Sequence, residues 1–340
     1  MGKDRSKYLI LKILDKNINE LNFLCEYTNL KELICNNRKL TALPKLPNTL
    51  EVLDCHNNKI TELPEIPKSL ININLNRNQV SILPKLPCNL IAILCDRNNL
   101  TELSDLPDSL RLLSCRFNKI KFIKKLPKTL SILNVENNNL SRLPDLPDSI
   151  NVINCTKNSL TEFPFLPQSL KALYCGSNKL SVIPNLPDSL DYLSCDNNKK
   201  LKTLPKLPSK LKLLTCKNIK LSKLLFLPDS LEWLDFKDNQ VSELTYLPRS
   251  LVYMNCINNP IKVFPKFPDK LSNLEFSFNQ SLIRLPEIKK SIHTFLYIDK
   301  FNKLIYSDIE KYNKLKTIFN RKYYLIKLNQ LNNGQNELSD

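Results

Sequence analysis

Eleven cysteines and two histidines are the side chains of this chain best suited to act as nucleophiles, redox centres or metal ligands. Nine of the cysteines recur at an interval of about twenty residues: Cys35, Cys55, Cys95, Cys115, Cys155, Cys175, Cys195, Cys216 and Cys256. Leu75, Val135, Phe236 and Phe276 fill the same place in the remaining intervals. A place that accepts Cys, Leu, Val or Phe faces inward, where a thiol packs as a small hydrophobe. No Cys-x-x-Cys pair occurs, so the spacing gives zinc no support. Neighbouring inward thiols would point side by side, a poor disulfide geometry. Reduced cysteine, no metal and no cofactor are therefore expected, in a reducing, cytoplasmic compartment. His56 lies near Asp54 on the outward side while Cys55 points the other way, so no Cys-His nucleophile pair forms. Gly2, Gly176 and Gly334 are the only glycines, which excludes glycine-rich phosphate loops. The chain reads as a non-enzyme.

The cysteines are one column of a longer pattern, Leu-x-x-Leu-x-Cys-x-x-Asn-x-Leu-Thr-x-Leu-Pro-x-Leu-Pro-x-Ser, repeated in thirteen units that open from Leu30 to Leu271. A period in the twenties marks a stacked solenoid, in which each unit contacts only its neighbours. In Val52-Leu53-Asp54-Cys55 the alternation is that of a short strand, with Leu53 and Cys55 inward and Val52 and Asp54 outward. The asparagine that follows, such as Asn58, can satisfy main-chain groups where the chain turns. Arg38 and Ile219 break that column, and local loosening is expected at both. Prolines in Leu-Pro-x-Leu-Pro forbid an α-helix on the return side, which should be extended or polyproline-like.

The expected fold is thus an α/β-class repeat that is mostly β. A parallel sheet lines its concave face, an extended segment forms its convex side, and the sheet spans about 60 Å at ordinary strand spacing. Single-residue slips near Lys199-Lys200 and Gln280-Ser281 should fall in loops. Residues 1–29 read as a cap with a degenerate first repeat (Tyr8, Leu11, Ile13, Ile18, Leu21). The array runs over 30–307 and includes a degenerate last repeat at Ile292, Phe295 and Tyr297. From Ile309 the period lengthens to three or four, predicting an amphipathic capping helix and tail over 308–340.

Units such as Ile60-Thr61-Glu62-Leu63-Pro64-Glu65-Ile66-Pro67-Lys68-Ser69-Leu70 resemble the short bacterial-type leucine-rich repeats with a Leu-Pro-x-Leu-Pro segment. Those occur in type III secreted effectors of enteric pathogens, and similar units occur in large DNA viruses of amoebae. The resemblance covers about Leu30 to Ile292 and implies a protein-recognition solenoid directed at host proteins, in the host cytoplasm. Some such effectors carry a ubiquitin-ligase domain with a Cys-x-Asp motif. No cysteine follows Ile292, so that activity does not carry over. Abundant Asn and Lys lean toward the viral relatives.

The outward strand places are the natural binding surface. Tyr174, Tyr192, Trp233 and Tyr253 gather toward its carboxy-terminal half, beside Asp235 and Lys237, and Phe117 lies in a loop just beyond. Aromatic anchors ringed by charge suit a protein interface, although β-propensity alone also favours Tyr, Trp, Val and Ile in strands. A net charge of +17 raises acidic partners. The outward face nevertheless balances slightly acidic, and the excess lysine is spread over turns (Lys45, Lys85, Lys125, Lys206) and the tail. Nucleic acid is therefore not the expected partner. The runner-up reading is a basic adaptor that meets nucleic acid or membrane through those turns and the helix. No apolar run is long enough to span a membrane, and a monomer is expected. Met1-Gly2-Lys3 matches a myristoylation pattern only loosely, and the Asn-x-Ser/Thr triplets are by-products of the repeat.

Overall fold

The computed structural model describes residues 9–13, 21–103, 105–277 and 292, together with the backbone of two further strands over 294–298 and 304–306. It divides into two compact units, residues 1–190 and 191–340. Strands of the first unit are β1 (Ile10–Lys12), β2 (Glu32–Ile34), β3 (Val52–Asp54), β4 (Asn72–Asn74), β5 (Ala92–Leu94), β6 (Leu112–Ser114), β7 (Ile132–Asn134), β8 (Val152–Asn154) and β9 (Ala172–Tyr174). They pair in parallel in sequence order, with equivalent residues of successive turns side by side, as in Leu33, Leu53 and Ile73. β1 adds a strand ahead of the regular units: Leu11 aligns with Leu33, and Ile13 and Leu21 are buried.

The second unit contains β10 (Tyr192–Ser194), β11 (Leu213–Thr215), β12 (Trp233–Asp235), β13 (Tyr253–Asn255), β14 (Asn273–Ser277), β15 (Thr294–Ile298) and β16 (Leu304–Tyr306). Strands β10 to β15 pair in parallel in sequence order, with Leu274 opposite Phe295 and Phe276 opposite Tyr297. β16 then reverses and pairs antiparallel with β15, a feature no periodicity announced. Lys199 and Lys200 sit in a turn closed by the Leu201 N–H on the Asn198 carbonyl at 2.9 Å, which absorbs the slip expected there. The helix expected over 308–340, Gly2, Tyr8, Ile18 and the slip at Gln280-Ser281 lie outside the described residues. Among the described residues there is no α-helix, only the 3-10 turn Asn22–Glu26.

Two columns fill each interior. Leu53 and Cys55 are almost wholly buried, as are their counterparts in the thirteen regular units. Burying a leucine contributes roughly 2 kcal/mol relative to exposure, so a repeated column is a repeated stabilisation. The eleven cysteines are free, nine of them buried. The asparagine column ties turns together: Asn58 donates to the carbonyls of Cys35 (3.0 Å) and Cys55 (2.8 Å) and accepts from the N–H groups of Arg38 and Leu40. A second ladder runs through the Ser or Thr that ends most units. Ser149 donates to the carbonyls of Lys128 and Leu130, both at 2.7 Å. The second proline closes a tight turn into the next strand, its carbonyl accepting the N–H three residues on, as in Leu70 to Pro67 at 3.0 Å.

The residue before each column asparagine is left-handed, with φ near 55° whatever its side chain; Asn57, Arg97, Phe117 and Asp238 are examples. At the two breaks in the column a second left-handed residue follows, Lys39 after Arg38 and Lys220 after Ile219. That is the local irregularity expected at both places. At Arg38 the guanidinium also stands in for the missing amide, its Nε donating to the Ile13 carbonyl at 2.9 Å.

Candidate functional site

Because side chains of a strand alternate, the first and third residues of each three-residue strand face away from the core. In the second unit the first positions bring Tyr192, Leu213, Trp233 and Tyr253 into consecutive register. The Trp233 indole stacks on the Tyr253 ring with centroids 3.7 Å apart and planes 14° from parallel. Strand spacing near 4.8 Å is what allows two rings on adjacent strands to stack face to face. Trp233 remains 41 % exposed and Tyr192 38 %. Tyr253 donates its hydroxyl to Glu275 Oε1 at 2.9 Å, and Asn255 donates to the other carboxylate oxygen at 3.0 Å. Burial, reinforced by that bond to Glu275, pushes the Tyr253 phenol well above its ordinary range.

Beneath the rings runs a line of charge. Asp235 and Asn255 point outward yet are buried, Asp235 beside the Lys217 ammonium and Asn255 against the Glu275 carboxylate. Burial raises the Asp235 carboxyl above the usual range, and Lys217 pulls against it. The Lys217 ammonium lies between Asp196 (3.4 Å) and Asp235 (3.5 Å). Burial opposes its charge, but the two carboxylates win and lift its pKa. Lys237 contributes its backbone N–H to Asp235 at 3.3 Å, and its ammonium makes no ion pair among the described residues. Tyr192, Trp233, Asp235, Lys237 and Tyr253 therefore share one outward strip. Sequence reasoning overlooked that Lys217, one strand from Asp235, is the partner of its carboxylate.

Tyr174 and Phe117 belong to the first unit. Tyr174 is half-buried at the end of β9, and its carbonyl accepts the Cys155 thiol at 3.4 Å. Phe117 is a clamped ring: the Arg97 guanidinium lies 4.3 Å from its centroid and that of Arg116 5.4 Å. Arg116 is held in turn by Glu136, with Nε 3.3 Å from the carboxylate. Ser114 and the Arg116 N–H both donate to Asp96.

Among the described residues, His56 and Cys55 do not form a nucleophile pair. His56 Nδ1 sits 2.7 Å from Asp54 Oδ1, whereas Cys55 donates inward to the Asn74 carbonyl. Burial pushes the Cys55 thiol far above its ordinary value and that of Cys155 to about 12, so neither provides thiolate near neutrality. Among the described residues no cluster of His, Cys, Asp or Glu could hold a metal ion, and no helix is long and apolar enough to cross a membrane.

Residues 28–68 match the family model for leucine-rich repeats in two copies. YopM from Yersinia pestis, a leucine-rich effector protein, is 32 % identical with a TM-score of 0.76, over 85 % of this chain and 82 % of that one. YopM from Yersinia enterocolitica is 29 % identical with a TM-score of 0.61, over 85 % and 78 %. The functional domain of InlJ from Listeria monocytogenes, which includes a cysteine ladder, is 23 % identical with a TM-score of 0.62, over 87 % and 74 %, a likeness of fold alone. No curated protein sequence matches.

Proposed function

The chain belongs to the leucine-rich-repeat family, and from that membership we propose that it is a non-enzymatic scaffold that binds another protein through the outward strip of its second unit. The observation that carries the reading is the Trp233–Tyr253 stack. It is an aromatic platform, partly exposed, bordered by Tyr192 and Leu213, with the Lys217–Asp235 pair further along the same outward face. Ring burial with little lost side-chain freedom is what gives aromatic residues their weight at interfaces. The stack also fixes both rings before a partner arrives, which lowers the entropic penalty of association.

The likeness to YopM from Yersinia pestis, a leucine-rich effector protein, supports a host protein as the class of partner. The buried thiols fit a reducing compartment, the host cytoplasm included, and the scaffold is read as a monomer. The resemblance to Leu-Pro-x-Leu-Pro effector repeats supports this reading through the recurring proline segment. The test is affinity capture from host-cell lysate followed by mass spectrometry, with wild type beside Trp233→Ala/Tyr253→Ala. One or more proteins retained by wild type and lost by the double variant would support it. Identical capture by both would remove the strip from consideration.

A further inference from the structure

Between Asn197 and Pro228 the sequence carries nine lysines and no acidic residue. Lys217 is engaged on the sheet face by Asp196 and Asp235. Lys199, Lys200, Lys202, Lys206, Lys220 and Lys223 instead lie in turns or return segments, all exposed, and none makes an ion pair among the described residues. The return segments 201–208 and 221–228 belong to successive turns, so Lys206 and Phe226 occupy equivalent places, as do Pro205 and Leu225. Where the pattern has its first proline, this turn therefore has leucine, followed by phenylalanine. Both stand in water: Leu225 is 57 % exposed and Phe226 86 %, the highest value of any large apolar side chain described. Phe226 is also left-handed, with φ 55°. Every other such residue lies in the turn after a strand, so its conformation is peculiar to this segment. Asp229, which follows the segment directly, is already engaged by the Tyr246 hydroxyl at 3.1 Å.

We propose that this lysine-ringed Leu225–Phe226 tip docks on the surface of a bilayer carrying anionic headgroups. The ammonium groups meet the phosphates and carboxylates of the headgroups, and the two apolar side chains enter the boundary with the acyl chains, leaving water. Charge complementarity selects an anionic surface. The apolar pair selects lipid over nucleic acid, whose phosphates would hold the lysines but give Leu225 nothing to enter. The tip lies on the return side, so it neither needs nor excludes partner binding at Trp233, and the two readings fail separately.

The experiment is co-sedimentation of the full chain with vesicles of phosphatidylcholine mixed with phosphatidylserine, against phosphatidylcholine alone. Wild type is expected to bind the mixed vesicles, more weakly as salt rises. Lys206→Gln/Lys223→Gln should weaken binding roughly thirtyfold, and Leu225→Ser/Phe226→Ser roughly tenfold or more while leaving charge unchanged. Phe226→Trp gives an independent reading, since its added emission should move to shorter wavelength on mixed vesicles if the ring enters lipid. Absence of binding at low salt, or no such movement, overturns the proposal. So does binding that depends on the lysines but not on Leu225 and Phe226, or wild type that binds duplex DNA and not vesicles, because either outcome marks a general polyanion surface.

Discussion

The side-chain amide of Asn118 donates to the carbonyl oxygen of Cys95, twenty-three residues back, at 3.0 Å. The same nitrogen reaches the Cys115 carbonyl at 3.0 Å, and the amide oxygen accepts the Leu100 N–H at 3.0 Å. One side chain therefore joins the preceding turn at two points and its own strand end at a third. Alanine there strands a buried N–H and two carbonyls, and should destabilise the chain by about 3 kcal/mol. Ser109→Ala removes a single bond, to the Leu90 carbonyl at 2.7 Å, from a part-buried site, and should lose about 1 kcal/mol. Urea unfolding followed by circular dichroism compares the two. Equal losses would mean that the asparagine ladder is not what holds the turns in register.

The thiol column makes stability fall in alkali. Burial lifts the Cys155 thiol from its ordinary 9.0 to about 12. Below the lower value the folded and unfolded chains both keep the proton and the contribution is fully present. Above it the unfolded chain releases a proton that the folded chain retains, so stability declines until the folded thiol itself ionises. The decline is about 1.4 kcal/mol per pH unit for each such thiol. Cys155→Val, which puts in this place what Val135 already supplies in its own turn, should flatten the slope by that amount between pH 9 and about 11. Unfolding midpoints measured across that range check it, and an unchanged slope would mean that Cys155 is not shielded.

Much of this architecture was legible because it depends on identity at fixed spacing. Leu53 and Cys55 could be placed inside, and Asn58 at the turn, from recurrence alone. The Lys217–Asp235 pair was not legible, because it runs between strands and depends on where a flexible ammonium settles among several carboxylates. Phe117 read as an aromatic residue in a loop beside the strip, and only the packing of adjacent turns reveals the two guanidinium groups that lie against it. Arg38 read as a break, and part of the break is mended by a guanidinium that is longer than the amide it replaces and reaches a carbonyl from another angle. The reversed β16 follows a loss of periodicity, where spacing carries no information.

Lys217 opposes the effect of burial on the Asp235 carboxyl. Burial already raises the Asp235 carboxyl, and removing the ammonium must raise it further. A carboxyl whose folded pKa exceeds its unfolded one contributes its stability fully at acid pH and loses it as pH rises through the folded value. Lys217→Met should therefore be about 1–2 kcal/mol less stable than wild type near neutrality, with the gap closing as pH falls toward the ordinary carboxylate range. Adding Asp235→Asn to Lys217→Met should recover most of the loss at neutral pH. A pH-independent deficit would trace the effect to lost packing of the lysine stem instead.

Trp233 is the only tryptophan, so its emission reports on the stack without interference. The Tyr253 ring covers one face of the indole. Tyr253→Ala should move the emission to longer wavelength, steepen quenching by acrylamide, and reduce stability by about 1 kcal/mol for the lost ring pair. Tyr253→Phe keeps the ring and removes only the hydroxyl that Glu275 accepts, so the emission should stay where it is. The pair of variants also separates two ways in which the strip could hold a protein. If the platform's shape is what binds, Tyr253→Phe retains affinity while Tyr253→Ala loses about tenfold or more. If the hydroxyl and Glu275 are what bind, both variants lose it alike.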